Sequence, residues 1–182
     1  MKKSHLYQFT LILKNIDENT PDLEDSLYDA GCDDALINYS NGTVYLDFDR
    51  KAHSFEKAVI SAIKDVHAAS VEAEVASVAP ENLVTESEIA KRLEISRQTV
   101  SLWIKGARRK HFPQPIMRLT EKSPLWKWTD VTRWLYQNKI INNETLVEDA
   151  LFLENINAAL EERDKKTRET RHHLLEEIQL HI

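Results

Sequence analysis

Cysteine and glycine are scarce in this chain of 182 residues, which has one Cys, three Gly and five Pro. The single Cys32 excludes an internal disulfide and a cysteine zinc cluster, and it predicts a small buried hydrophobic residue. Three glycines leave little backbone for phosphate-binding loops, and the sequence has neither a His-Glu-x-x-His pattern nor a nucleophile elbow. We therefore expect no enzyme activity and no cofactor.

Long apolar runs are also missing. No stretch approaches the roughly 18 apolar residues of a membrane span. The opening Met-Lys-Lys-Ser is not followed by an apolar signal region with a small-residue cleavage site. The sequence therefore predicts a cytoplasmic protein.

The negative net charge of -6 at first argues against a nucleic-acid partner. Its distribution along the chain changes that interpretation. Residues 1–80 carry 7 basic and 14 acidic side chains, residues 81–140 carry 12 and 6, and residues 141–182 carry 5 and 10. The net charges of these three segments are -7, +6 and -5, so a basic segment lies between two acidic ones. We predict three domains with these boundaries, of which the middle one binds nucleic acid.

Residues 1–80 alternate between strand and helix patterns. Strand composition is found at 6–13, 35–39, 43–49 and 71–78, and helical patterns run from Thr20-Pro21 to Gly31 and over 54–69. Asn41-Gly42 between two strand-like runs is a strong hairpin signal. The order β-α-β-β-α-β resembles a ferredoxin-like sandwich, which would serve as a sensor, dimerisation or partner-binding domain. We interpret its many acids as a solvated surface and expect no metal site there.

The stretch from Thr85 to Lys105 predicts two short helices joined by a tight turn. Thr85 and Glu88 form a capping box for the first helix, and Ser96 can cap the second. Apolar positions recur at helical spacing in both, with the small Ala90 where the helices would cross. The residues left on the outer face of the second helix are hydrogen-bonding types, as expected of a base-reading face: Arg97, Gln98, Ser101 and Lys105. The run 108–111 that follows, including Arg108, Arg109 and Lys110, is typical of phosphate contacts.

Beyond Phe112-Pro113-Gln114-Pro115, two short strands are expected at 116–119 and 125–128, followed by a helix over 130–137 capped by Thr129. This combination, ending in Trp-x-Trp-Thr-Asp-Val-x-x-Trp-Leu, is similar to the winged helix-turn-helix domains of the AlpA and excisionase type, relatives of the MerR DNA-binding head. The resemblance covers residues 83–137. It implies that the second helix enters the major groove while the hairpin brings Arg118, Lys122 and Lys127 near phosphates or the neighbouring groove. Such motifs usually have Gly in the inter-helix turn, where this chain has Glu94. We expect the four tryptophans to form the core.

Residues Glu144 to Ile182 contain neither Gly nor Pro and predict one long helix or two in tandem. Leucines recur every seven residues in the first part, with Asn157 on the same seam, so a coiled-coil dimer is predicted through Leu146, Leu153, Asn157 and Leu160. His173, Glu177 and His181 share a helical face and could bind a metal ion. We interpret this face as solvated and expect no metal there.

The fold expected is therefore α+β, with a ferredoxin-like domain, a winged helix-turn-helix domain and a C-terminal helix or coiled coil. The function predicted is that of a dimeric regulator that binds specific double-stranded DNA. One alternative is an antitoxin, or another protein that neutralises a partner through its terminal regions and binds DNA for autoregulation. Another is an excisionase-like factor that bends DNA for recombination.

Overall fold

A computed structural model describes residues 4–179 as a mixed α+β fold. The elements are, in chain order, β1 (His5–Lys14), α1 (Leu23–Asp29), β2 (Ala35–Ser40), β3 (Thr43–Ala52), α2 (Phe55–Ala68), β4 (Glu74–Ala79), β5 (Leu83–Val84), α3 (Glu86–Arg92), α4 (Arg97–Ile104), β6 (Trp126–Lys127), α5 (Trp128–Gln137), α6 (Thr145–Glu162) and α7 (Lys165–Gln179).

The backbone divides into two compact units. One unit runs to Pro80 and resumes at Asn155, and the other is Glu81–Glu154. The division at Pro80 coincides with the first boundary expected from charge. The segment 141–182, however, was expected to be a third domain, and it is instead shared between the two units because α6 contributes to both.

The first unit contains an antiparallel four-stranded sheet of order β2-β3-β1-β4. Alternate side chains of β1 and β3 are buried, and they meet the buried stripe of α2, including Val59 and Val66. The β2–β3 connection is the expected Asn-Gly turn, in which Asn41 and Gly42 have φ of 52° and 76°. Both residues therefore occupy the left-handed region that this tight hairpin requires.

The start of α1 differs from the expected cap at Thr20. The hydroxyl of Thr20 accepts a hydrogen bond from the Asp17 amide at 3.0 Å, so it closes the preceding turn. Asp22 then adopts a left-handed φ of 54°, and the helix begins at Leu23. Gly31, with φ of 103°, ends the helix as predicted.

A buried arginine joins β3, α2 and the loop between α1 and β2. Arg50 of β3 donates to both oxygens of Asp34, at 2.9 and 2.7 Å, and to Asp65 of α2 at 2.6 Å. It also donates to the Gly31 carbonyl at 2.8 Å. The neighbouring Cys32 is buried as expected, and burial together with the charge of Asp65 raises the pKa of its thiol to about 11, so the thiol stays protonated at neutral pH.

The free edge of β4 is covered within the same unit by the end of α6. The Asn157 side chain accepts from the Val78 amide at 2.7 Å and donates to the Val78 carbonyl at 2.9 Å. Arg163 donates to the Val75 carbonyl at 2.6 Å. One amide side chain thus substitutes for the ladder partner that this strand edge would otherwise lack.

The C-terminal segment forms two helices rather than one continuous helix. The break falls at Arg163-Asp164, where the Asp164 carboxylate accepts from the Thr167 amide at 2.7 Å and caps α7. His181, one of the three residues of the helical face interpreted as solvated, lies outside the described residues.

Candidate nucleic-acid interface

The candidate interface in the second unit is built on the helices α3 and α4 and the turn between them. The predicted capping box is present: the Thr85 hydroxyl accepts from the Glu88 amide, and the Glu88 carboxylate accepts from the Thr85 amide. Between the helices Glu94 has a φ of 53°, so a non-glycine residue occupies the left-handed turn. The Ile95 amide donates to the Ala90 carbonyl at 3.0 Å, which closes the turn tightly.

One face of α4 is buried and the opposite face is available to solvent. Val100 and Trp103 point into the core. The four residues expected to read bases fall within one arc of the helix at its 3.6-residue period. Their side chains are exposed at Arg97, Gln98 and Lys105 and half-buried at Ser101. Lys105 is the C-cap, and Gly106, with φ of 66°, ends the helix as expected.

The basic run after α4 is exposed, and its backbone is anchored to α5. Arg108, Arg109 and Lys110 are all exposed. The Arg109 guanidinium donates to the Asn138 carbonyl at 3.0 Å, and the Lys110 carbonyl accepts from the Trp134 indole at 3.2 Å. These bonds tie the Arg109 side chain and the Lys110 backbone to α5 and its C-terminal end.

The hairpin beyond the prolines is shorter than expected. The two strands predicted at 116–119 and 125–128 are reduced to a bridge between Met117 and Leu125. Residues 126–127 pair instead with β5, which no pattern in the sequence indicated. Arg118, with a left-handed φ of 54°, and Lys122 are exposed near the tip of this hairpin.

Thr129 does not cap α5, which begins earlier, at Trp128. Asn82, which is remote in the sequence, accepts hydrogen bonds from the first amides of α5. Its carbonyl accepts from the Trp128 amide at 2.7 Å, and its side-chain oxygen accepts from the Thr129 amide at 3.2 Å. Because a residue 47 positions away acts as the cap, the local sequence could not reveal it.

Two of the expected backbone contacts face an acid: Arg118 lies 3.9 Å from the Glu121 carboxylate with both side chains well exposed, and Lys127 is paired more closely. Its ammonium lies 2.8 Å from the Glu154 carboxylate, which raises the pKa of Lys127. The lysine charge is therefore already compensated within the unit. Glu154 was missed from sequence because it lies 27 residues downstream, in a segment interpreted as a coiled coil.

All four tryptophans are buried, which confirms their interpretation as core residues. Trp103 packs on Trp134 with ring centroids 5.5 Å apart, and Phe112 lies 4.9 Å from Trp134. The indole of Trp126 donates to the Pro113 carbonyl at 3.0 Å. This aromatic cluster fixes the inner face of α4, so it leaves no indole for stacking on bases.

The residues expected at a dimer interface have partners within their own chain. Leu153 and Leu160 are buried, Leu146 is half-buried against the apolar core of the second unit, and Asn157 bonds to the β4 edge. Leu153, Leu160 and Asn157 are therefore covered within the chain. Dimer formation itself stays a prediction.

A scan against models of known protein families found no match to this chain, and searches of curated proteins and of solved structures found none either. None of the helices within residues 4–179 is both long and apolar enough to cross a membrane.

Proposed function

We propose that this chain is a transcriptional regulator that binds specific sequences in double-stranded DNA through residues 83–137, arranged as a winged helix-turn-helix of the AlpA and excisionase type. The observation that carries the proposal is the two-sided α4. Its inner face is fixed by Val100 and Trp103, and its outer face presents Arg97, Gln98 and Lys105 to solvent. A rigid helix with such a face fits the major groove, where arginine and glutamine distinguish bases by paired hydrogen bonds.

The turn geometry supports the same proposal. Helix-turn-helix motifs favour glycine where the chain is left-handed between the helices, and Glu94 adopts that conformation despite its side chain. A non-glycine residue at φ of 53° is held by its surroundings, here by the Ile95–Ala90 bond and the packing of α3 on α4. The angle of the proposed reading helix is thus defined by the fold rather than by a flexible residue.

The charge distribution is consistent with contacts to phosphates. Segment 81–140 carries +6, although four acids in 141–154 lower the whole second unit to +2. Arg108, Arg109 and Lys110 stand at the end of α4, where a helix lying in the groove would bring them to the backbone. We assign Arg118 and Lys122 to the wing. Lys127 is left out because Glu154 neutralises it.

For the first unit we propose a ferredoxin-like domain with a role in regulation or assembly. The strand order β2-β3-β1-β4, with a helix after β1 and another after β3, supports that fold. Its net charge of -7 over residues 1–80 makes it a poor surface for DNA, so we assign DNA binding to the second unit alone. We propose a homodimer, because a single short reading helix contacts few base pairs and two copies on half-sites about 34 Å apart would supply specificity.

The experiment begins by selecting bound sequences from random duplex DNA and then compares two charge-matched variants. Arg97→Ala should lower the preference at one or two base pairs, by about 1 to 3 kcal/mol at the position read. Arg109→Ala should weaken binding to all sequences alike and reduce the slope of log affinity against log salt by about 1. A wild-type protein that selects no sequence would refute the proposal, and equal effects of the two variants on base preference would refute the assigned roles.

A further inference from the structure

An acidic side chain lies beside the first residue of α4. The Glu86 carboxylate is 3.4 Å from Nε of Arg97, and the glutamate side chain is only 24% exposed whereas the arginine side chain is 66% exposed. Glu86 is the first residue of α3, and Arg97 is the first residue of α4. The contact therefore crosses between the two helices of the proposed DNA-binding motif.

The Glu86 carboxylate is not part of the hydrogen-bonded cap of α3. The capping box joins Thr85 and Glu88 and does not include Glu86, whose charge favours the N-terminus of α3 in addition to facing Arg97. A negative charge close to the proposed reading face also opposes the approach of phosphates, so it weakens the attraction of this segment for DNA in general. Its contact with Arg97 is made at a single nitrogen of the guanidinium.

The nitrogen that is held is Nε. A guanidinium can present two N–H groups to guanine O6 and N7 either side-on, with Nε and one terminal nitrogen, or end-on, with both terminal nitrogens. With Nε–H directed at Glu86, the side-on pair is engaged, and the end-on pair, formed by one N–H of each terminal nitrogen, stays available. Arginine paired with guanine in this bidentate way is the commonest specific contact in the major groove.

We infer that Glu86 is a specificity-determining positioning residue: it orients Arg97 so that Nη1 and Nη2 read a guanine end-on. The inference rests on the proposed DNA-binding function and deepens it by naming the base that is read. The Glu86–Arg97 pair is solvent-exposed on one side, so its contribution is modest, and we expect a change of about two- to five-fold in the preference for that guanine.

The test is a double-mutant cycle on the full-length chain with Glu86→Ala, Arg97→Ala and the combined variant. Affinities are measured for the selected duplex and for each of its single-base-pair substitutions. Glu94→Gln is the control for charge: it removes one negative charge at an exposed turn and keeps the size of a side chain that already occupies a left-handed position. Circular dichroism of every variant monitors folding.

We expect Glu86→Ala to lower the preference at the same guanine that Arg97→Ala affects, and to leave that preference unchanged when Arg97 is already absent. Glu94→Gln should strengthen binding to all sequences slightly without altering the preference. The inference is overturned if Glu86→Ala behaves like Glu94→Gln, if its effect persists without Arg97, or if the affected base pair contains no guanine read by Arg97. Failure of the wild-type chain to bind DNA would remove the proposed function as well, and that result is distinguishable because it precedes the cycle.

Discussion

Replacement of Arg50 by methionine should destabilise the first unit far more than removal of an exposed lysine from the same sheet. The Arg50 side chain is 8% exposed and contacts Asp34 and Asp65, which are 31% and 32% exposed. Breaking a buried pair by removing one partner costs about 3 to 5 kcal/mol, because the other charge stays buried without compensation. Here the two carboxylates can regain part of their hydration, so we expect a loss of about 2 to 4 kcal/mol.

Lys14 provides the matched control for Arg50. It pairs with Glu74 at 2.7 Å, but the two side chains are 50% and 42% exposed. Exposed pairs of this kind contribute about 0 to 1 kcal/mol, so Lys14→Met should have little effect.

The positions of the tryptophans allow the unfolding of the two units to be followed separately. All four tryptophans lie within Glu81–Glu154, so their fluorescence reports the unfolding of the second unit, while far-ultraviolet circular dichroism reports both units. In urea, Arg50→Met should move the circular dichroism transition to lower concentration and leave the fluorescence transition in place. An Arg50→Met loss no larger than that of Lys14→Met would refute the reasoning. A fluorescence transition that moves equally would show that the two units unfold together.

Two further predictions concern α6 and α7. Burial, followed by the charge of Glu148, raises the pKa of Asp149 to about 6 from 3.8, so its ionised form is disfavoured in the folded chain. Asp149→Asn should therefore stabilise the second unit by about 1 kcal/mol at pH 7 and lose this advantage as the pH falls through 6 towards 4; a gain that does not depend on pH in urea titrations would contradict it. Leu174 and Ile178 of α7 are 54% and 60% exposed and continue the seven-residue pattern, so Leu174→Lys with Ile178→Lys should dissociate the expected dimer in sedimentation, whereas Leu151→Lys on α6 should not. A monomeric wild type, or a double variant that stays dimeric, would rule out this interface.

Much of the fold could be predicted because its signals are local. Asn41-Gly42 specifies a hairpin through two left-handed residues, and Thr85 with Glu88 specifies a helix start through bonds that span three positions. The buried stripe of α2 follows directly from helical spacing. In each case the physical cause lies within a few residues of the pattern, so a single sequence contains the necessary information.

The errors arise where a side chain acts at a distance along the chain. Asn82 satisfies the start of α5, and its own pattern of neighbours gives no indication of this role. Glu154 neutralises Lys127, which removes one of the six expected backbone contacts from the candidate interface. Charge counting along the sequence treated every basic residue as available, whereas availability depends on which acids the fold brings alongside.

The C-terminal segment shows the same limit in the interpretation of a seven-residue repeat. Apolar residues with this spacing indicate that one face of a helix is buried, but they do not identify what covers that face. Here Leu153 and Leu160 are buried within a single chain, and Asn157 binds the backbone of β4. An asparagine on a coiled-coil seam and an asparagine that completes a strand edge have the same sequence signature, because both are polar groups that need a partner in an apolar surrounding. The distinguishing feature is the unpaired edge of β4, which lies 79 residues away in the sequence.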